Sequence, residues 1–128
     1  MNATARRATA VAVAVAAERW IASHVDRRRR LLVDDSLYVD LVRAGFAPRY
    51  GVVWFYKLDF TTNLDPSVRR RLPQGWRAFD YVVSTPVIRD ALRQKPHGLL
   101  QVRQALRHSR AVASFGAART RVVVRRVR

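Results

Sequence analysis

The chain has 128 residues, 49% of them hydrophobic, and a formal net charge of +16 from 25 Lys plus Arg against 9 Asp plus Glu. This length suits one compact domain, and the apolar content excludes a disordered chain. The absence of cysteine excludes disulfides, thiol catalysis and thiolate metal sites.

The N-terminal segment predicts one helix. Residues 1–7 are predicted to fray, and residues 9–25 are predicted to be helical because alanine is the best helix former. Ile21 and Val25 continue an apolar face one turn apart. The predicted organisation is therefore an N-terminal helix over residues 1–25 and a single α/β domain over residues 26–128.

The apolar run at residues 8–17 follows Arg6 and Arg7, a pattern that a secretory signal peptide also shows. The run continues without a break into Trp20, and no convincing cleavage site stands out, so a continuous helix is favoured. No apolar window reaches the roughly eighteen residues that a membrane-spanning helix requires.

The first strand and second helix follow a run of four arginines. Residues 31–33 are fully apolar and too few for a helix, which predicts a central strand. Asp35 or Ser36 is expected to cap the next helix, and Gly45 is expected to close it. Residues 52–56 are β-branched and aromatic, which predicts the second strand.

The second half of the chain alternates in the same way. Asp65 and Pro66 are typical of a helix start, which predicts a helix over residues 67–72. Residues 81–83 predict a third strand. Thr85 and Pro86 repeat the start signal, and the helices expected after it cover residues 86–93 and 99–108.

Two late strands, residues 111–115 and 121–127, are separated by a short glycine-containing turn, which predicts an antiparallel hairpin. The fold class predicted is α/β: a small single-sheet sandwich in two or three layers. Its first three strands should be mainly parallel, namely residues 31–33, 52–56 and 81–83.

Polar side chains follow each of the three predicted parallel strands. Because ligands bind beyond the carboxyl ends of such strands, this edge is the candidate polar pocket. Its members are Asp34, Asp35, Lys57, Asp59, Ser84 and Thr85. A metal-binding or hydroxyl-binding pair at Asp34 and Asp35 competes with a simpler interpretation, in which one carboxylate caps a helix and the other is solvated. Two negative charges and no glycine loop exclude a phosphate site at this turn.

No complete catalytic motif is present. The histidines His24, His97 and His108 show no metal-ligand spacing, and neither Ser36 nor Ser84 lies in a nucleophile-elbow pattern. We therefore predict no catalytic residue, no metal and no cofactor. A small hydrolase or transferase using Asp34, Asp35 and Thr85 is the least favoured alternative.

The arginine clusters predict a basic surface. Its members are Arg27, Arg28, Arg29, Arg30, Arg69, Arg70, Arg71, Arg125 and Arg126. Such a surface attracts nucleic acid, anionic lipid or polyanionic polymers, although a genome-wide preference for arginine codons would produce the same count. No helix-turn-helix, zinc-finger or RNA-recognition signature accompanies the arginines.

From residue 20 to residue 127 the chain resembles the C-terminal extracytoplasmic domain of actinobacterial membrane glycosyltransferases. These are polyprenyl-phosphate-sugar-dependent enzymes of the protein-mannosyltransferase-like superfamily. The segments that carry the resemblance are Trp20-Ile21 and residues 31–46, 53–59, 75–86 and 108–116.

The resemblance implies a non-catalytic accessory domain, because members of that family place their acidic catalytic residues in membrane loops that have no counterpart here. The implied partners are a membrane glycosyltransferase subunit, an anionic lipid or a glycan, at an extracytoplasmic membrane surface. A cytoplasmic location stays open, and the alternative function is that of a basic nucleic-acid-binding protein.

Overall fold

The computed structural model describes residues 2–59 and 66–128, and these form six α-helices and five strands. The helices are Ala3–His24 (α1), Asp35–Arg43 (α2), Phe55–Asp59 (α3), Pro66–Arg71 (α4), Pro86–Gln94 (α5) and Leu100–Arg107 (α6). The strands are Leu31–Val33 (β1), Val52–Trp54 (β2), Tyr81–Ser84 (β3), Ser109–Phe115 (β4) and Val122–Val127 (β5).

The strands form one mixed sheet in the order β2-β1-β3-β5-β4. β1 pairs in parallel with both β2 and β3, whereas β5 runs antiparallel to β3 and to β4. The predicted α/β class, the parallel pairing of the first three strands and the C-terminal antiparallel hairpin are confirmed.

Helices cover both faces of the sheet, so the fold has three layers. Side chains alternate along β1: Leu31 and Val33 face α1 and α2, while Leu32 faces the helices α3 to α6. Two apolar clusters result, one on each side of the sheet. Strands buried on both faces are the expected consequence of a parallel arrangement.

The second strand is shorter than predicted. It ends at Trp54, and Phe55 begins α3 instead of continuing the strand. Phe55 and Leu58, three residues apart on one face of this helix, are almost completely buried in the cluster beneath α3 to α6. Packing against that cluster overrides the strand preference of the aromatic residues.

Several element ends differ from the predicted ones. Helix α1 begins at Ala3 rather than fraying through residue 7, because the Asn2 side chain accepts a hydrogen bond from the Ala5 amide at 2.8 Å. Helix α6 begins at Leu100 because Leu99 takes a left-handed backbone conformation, with φ of 57°. The predicted cap at Asp65 lies outside the described residues.

The turn of the hairpin lies against α1. Gly116 has a φ of +73°, and a Cβ atom placed there would lie 2.8 Å from the Cγ2 atom of Val13. Glycine therefore meets two requirements at once: a left-handed turn and a close approach to the helix.

Across the part of the chain that the structure describes, every helix is too short or too polar to cross a bilayer.

Candidate functional site

Asp34, at the carboxyl end of β1, is completely buried. One carboxylate oxygen accepts hydrogen bonds from the Ser36 amide, at 2.7 Å, and from the Ser36 hydroxyl. The other accepts from the Thr85 hydroxyl. Both oxygens therefore have protein donors, and the side chain ties the turn after β1 to the turn after β3.

Asp34 is also the N-cap of α2, which corrects the predicted cap at Asp35 or Ser36. Its backbone is extended and its carboxylate accepts from the Ser36 amide, as an N-cap requires. The physical reason is burial: a carboxylate held inside the protein needs donors, whereas Asp35 is exposed in the first helical turn.

Thr85 has the same role one strand away. Its backbone is extended, and its hydroxyl accepts from the Ile88 amide at 3.3 Å while donating to Asp34. Its neighbour Ser84 accepts a hydrogen bond of 3.4 Å from the Arg89 guanidinium. Asp34 and Thr85 thus lock two helix starts together.

Two further residues of the predicted polar pocket, Lys57 and Asp59, lie on α3. Asp59 accepts from the amides of Gln101 and Val102, at 2.7 and 3.1 Å, and so caps the start of α6. Burial raises the pKa of Asp59, and these two amide bonds oppose the change. Lys57 lies half-buried on α3. The hydrogen bonds described for the Asp34 carboxylate come from Ser36 and Thr85.

A recess of about 160 Å³ lies beside Asp34 and Thr85. Its remaining wall is largely apolar and includes Ala14 of α1, Leu37 of α2 and Val122 of β5. Because the carboxylate is already bound by three donors, the geometry supports a structural junction at this edge of the sheet.

Sequence reasoning missed Glu18, a buried carboxyl group on α1. The residue is 9% exposed, and its Oε2 atom has no hydrogen-bond partner. Burial, together with the neighbouring Asp40 and Asp34, raises the pKa of Glu18 to about 8. Its burial could have been predicted from its position in the sequence, beside Ala17 and three residues before Ile21, which both lie on the buried face of α1.

Arg27 and Arg125 of the predicted basic surface make hydrogen bonds to backbone carbonyl groups of the protein. Arg27 donates to the carbonyl oxygens of Ala44, at 2.7 Å, and Val25, at 3.1 Å. Arg125 donates to the hydroxyl and the carbonyl oxygen of Ser109, at 2.8 and 3.0 Å. These guanidinium groups therefore have a structural role, because they link separate segments of the chain.

Other arginines gather where the parallel strands begin. The Arg30 carbonyl accepts from the Asp80 and Tyr81 amides, which places the run before β1 beside the start of β3. The same end of the sheet receives the last residues of β5 and the first of β4. We call the exposed arginines there the basic edge: Arg28, Arg29, Arg77, Arg110, Arg126 and Arg128.

Two aspartates offset part of this charge. Arg28 contacts Asp26 at 3.0 Å and Arg29 contacts Asp80 at 3.4 Å, around a shallow cavity of about 360 Å³. The Arg28 guanidinium holds the pKa of Asp26 well below its usual range. Exposed pairs of this kind contribute little stability, and within the described residues the basic edge keeps an excess of positive charge.

Two like-charged residues of the basic edge stand opposite each other in the sheet register. Arg110 of β4 and Arg126 of β5 are direct partners across the hairpin. Like charges placed opposite each other on neighbouring strands are destabilising. The Arg126 guanidinium also lies over the Tyr81 ring, 5.6 Å from its centroid, and this contact fixes its position.

The predicted cluster at Arg69, Arg70 and Arg71 lies on α4. The Arg71 guanidinium lies over the Tyr50 ring, 5.2 Å from its centroid. Arg69 lines a separate cavity of about 270 Å³ together with Asp59 and His97.

Two of the three histidines lie against tryptophan side chains. His24 stacks on Trp20 and His108 on Trp76, with ring centroids 4.4 and 4.6 Å apart. Over residues 2–59 and 66–128, no three side chains of the His, Asp or Glu type come together as metal ligands.

Scans of the chain against models of known protein families, against curated proteins and against solved structures found no match.

Proposed function

We propose that the chain is a binding module: an accessory domain of the kind attached to membrane glycosyltransferases, which docks through its basic edge onto anionic phospholipid headgroups. The observation that carries the proposal is the direct pairing of Arg110 with Arg126. Each arginine near an anionic membrane surface contributes about 1 kcal/mol of attraction. A bound headgroup would also offset the like charges that the register places on neighbouring strands.

The aromatic side chains of the basic edge favour a lipid surface over single-stranded nucleic acid. Trp76 and Tyr81 are each only 8% exposed, and arginines lie over both rings. Proteins that bind single strands stack bases on aromatic faces that solvent can reach. Here the edge offers charge without such a platform.

The sequence resemblance supports the membrane side of the proposal, since the domains that the chain resembles lie at the extracytoplasmic membrane surface. A membrane glycosyltransferase subunit or an anionic glycan would use the same positive charge. Duplex DNA is the competing ligand, because its phosphates are recognised by arginine irrespective of base sequence.

Vesicle co-sedimentation tests the proposal. The protein should bind vesicles of mixed phosphatidylcholine and phosphatidylglycerol, should release as salt is raised, and should ignore vesicles of phosphatidylcholine alone. Duplex DNA is titrated in parallel under the same salt conditions. Tight DNA binding without vesicle binding would contradict the proposal and favour the nucleic-acid alternative.

A further inference from the structure

A positively charged cavity lies at the opposite end of the sheet from the basic edge. It has a volume of about 530 Å³ and is lined by Pro86, Arg89, Asp90, Arg93 and Arg119. Four of these residues belong to α5, which begins directly after the carboxyl end of β3, and Arg119 lies in the connection between β4 and β5. A cavity of this size is in the range of about 300 to 1,000 Å³ that small-molecule sites occupy.

Hydrogen bonds within the protein fix the position of the Arg89 side chain. Its guanidinium donates to the carbonyl oxygens of Arg119, at 3.3 Å, and Arg121, at 2.7 Å, and to the Ser84 hydroxyl, at 3.4 Å. These bonds fix α5 to the connection between β4 and β5. A guanidinium that is already ordered loses less conformational freedom on binding than a mobile one.

The charges around the cavity are unbalanced. Three guanidinium groups line it, and the single carboxylate among the lining residues, Asp90, is already paired with Arg93. Burial lowers the pKa of Arg89, and the nearby charges of Arg93 and Arg121 lower it further.

We infer that this cavity binds a phosphate monoester, with Arg93 and Arg119 reaching the phosphate from two sides of the ordered Arg89. Guanidinium groups match phosphate oxygens in geometry, and charge-assisted hydrogen bonds are the strongest available to such a ligand. The volume exceeds that of a phosphate group, so the remainder would hold a small polar substituent such as a sugar. The inference does not depend on the basic edge, which lies at the other end of the strands.

Nuclear magnetic resonance titration tests the inference, with inorganic phosphate as the probe in a buffer free of phosphate and sulfate. We expect saturable shifts at Arg89, Arg93 and Arg119. Because each exposed arginine supplies charge-assisted bonds, Arg93→Gln and Arg119→Gln should each weaken phosphate binding by about tenfold. The double variant Arg110→Gln/Arg126→Gln serves as the control and should leave phosphate binding unchanged.

Vesicles containing phosphatidic acid, whose headgroup is a phosphate monoester, form the second arm. If Arg119→Gln weakens binding to these vesicles, a lipid headgroup is the source of the phosphate. If it weakens only the binding of inorganic phosphate, the source is a soluble ester. In the titration with inorganic phosphate, equal losses in the site variants and in the basic-edge control, or shifts that never saturate, would overturn the inference. Unchanged thermal melting of each variant shows that it remains folded.

Discussion

At the scale of single residues, Asp34 shows how one carboxylate can fix the geometry of a strand edge. It caps α2 with one oxygen and binds Thr85, the cap of α5, with the other. Two helices and two strands therefore share one buried acid. The neighbouring Asp35, of the same residue type, is exposed in the first turn of α2.

Replacing these two aspartates should have very different consequences. Asp34→Ala should lower the free energy of unfolding by about 2 to 4 kcal/mol, because it removes a cap and leaves the buried Thr85 hydroxyl without its acceptor. Asp35→Ala should cost about 0.5 kcal/mol or less. Urea denaturation measures both values, and similar losses in the two variants would contradict the structural role of Asp34.

Glu18 makes stability depend on pH. Folding raises its pKa from 4.5 to about 8, so the folded protein keeps a proton that the unfolded chain releases. The contribution is fully present below the unfolded value and is lost as pH rises through the folded value. Glu18→Gln, which retains a donor toward Asp40, removes this dependence.

When the pH is raised from about 5 to about 9, the unfolding free energy of the native chain should fall relative to that of Glu18→Gln by on the order of 2 kcal/mol. Denaturant unfolding of both proteins at the two pH values measures the difference. Glu18 would not carry the effect if the two proteins kept a constant difference across this range.

At the scale of elements, the strands were easier to predict than their ends. The apolar runs of β1 and β3 and the alternating pattern of β5 were sufficient to predict strands at these positions. Phe55 could not be assigned in this way, because the same aromatic residues suit a strand and a buried helical turn. Burial against α6 decides between them, and that is a tertiary effect.

The site was less predictable than the fold. Parallel strand ends indicated that Asp34 and Thr85 could be neighbours, and the structure brings them together. The sequence does not distinguish Arg125, which binds Ser109, from Arg126, which is exposed. The pairing of Arg126 with Arg110 depends on a register that shifts between Ala111 and Ala113, and no short pattern specifies that shift.

The hairpin turn offers a test of how tightly α1 packs against the sheet. Gly116→Ala should destabilise the protein by about 1 to 3 kcal/mol, because a methyl group there meets both an unfavourable backbone angle and Val13. Gly98→Ala is the matched control, since a methyl group there makes an ordinary contact of 3.4 Å with Lys95 and φ is not positive.

Thermal denaturation compares the two glycine variants. The additional change Val13→Ala should restore part of the stability lost in Gly116→Ala by making room for the methyl group. Equal melting temperatures for Gly116→Ala and Gly98→Ala would show that the turn is not in close contact with α1.

At the scale of the whole molecule, the two ends of the sheet have different chemistry. The carboxyl end holds the Asp34 junction and the arginine-lined cavity on α5, and the opposite end holds the basic edge. A net charge of +16 gives long-range attraction to any polyanion, irrespective of where the charges lie. A docking function requires in addition that the position of the charges matters.

The most direct measurement compares two double variants that remove the same charge. Arg110→Gln/Arg126→Gln alters the basic edge, whereas Arg6→Gln/Arg7→Gln alters two exposed arginines at the other end of the molecule, near the start of α1. Affinity for phosphatidylglycerol-containing vesicles should fall about tenfold in the first variant and about twofold or less in the second. Equal losses would mean that net charge alone drives binding and would contradict docking through the basic edge.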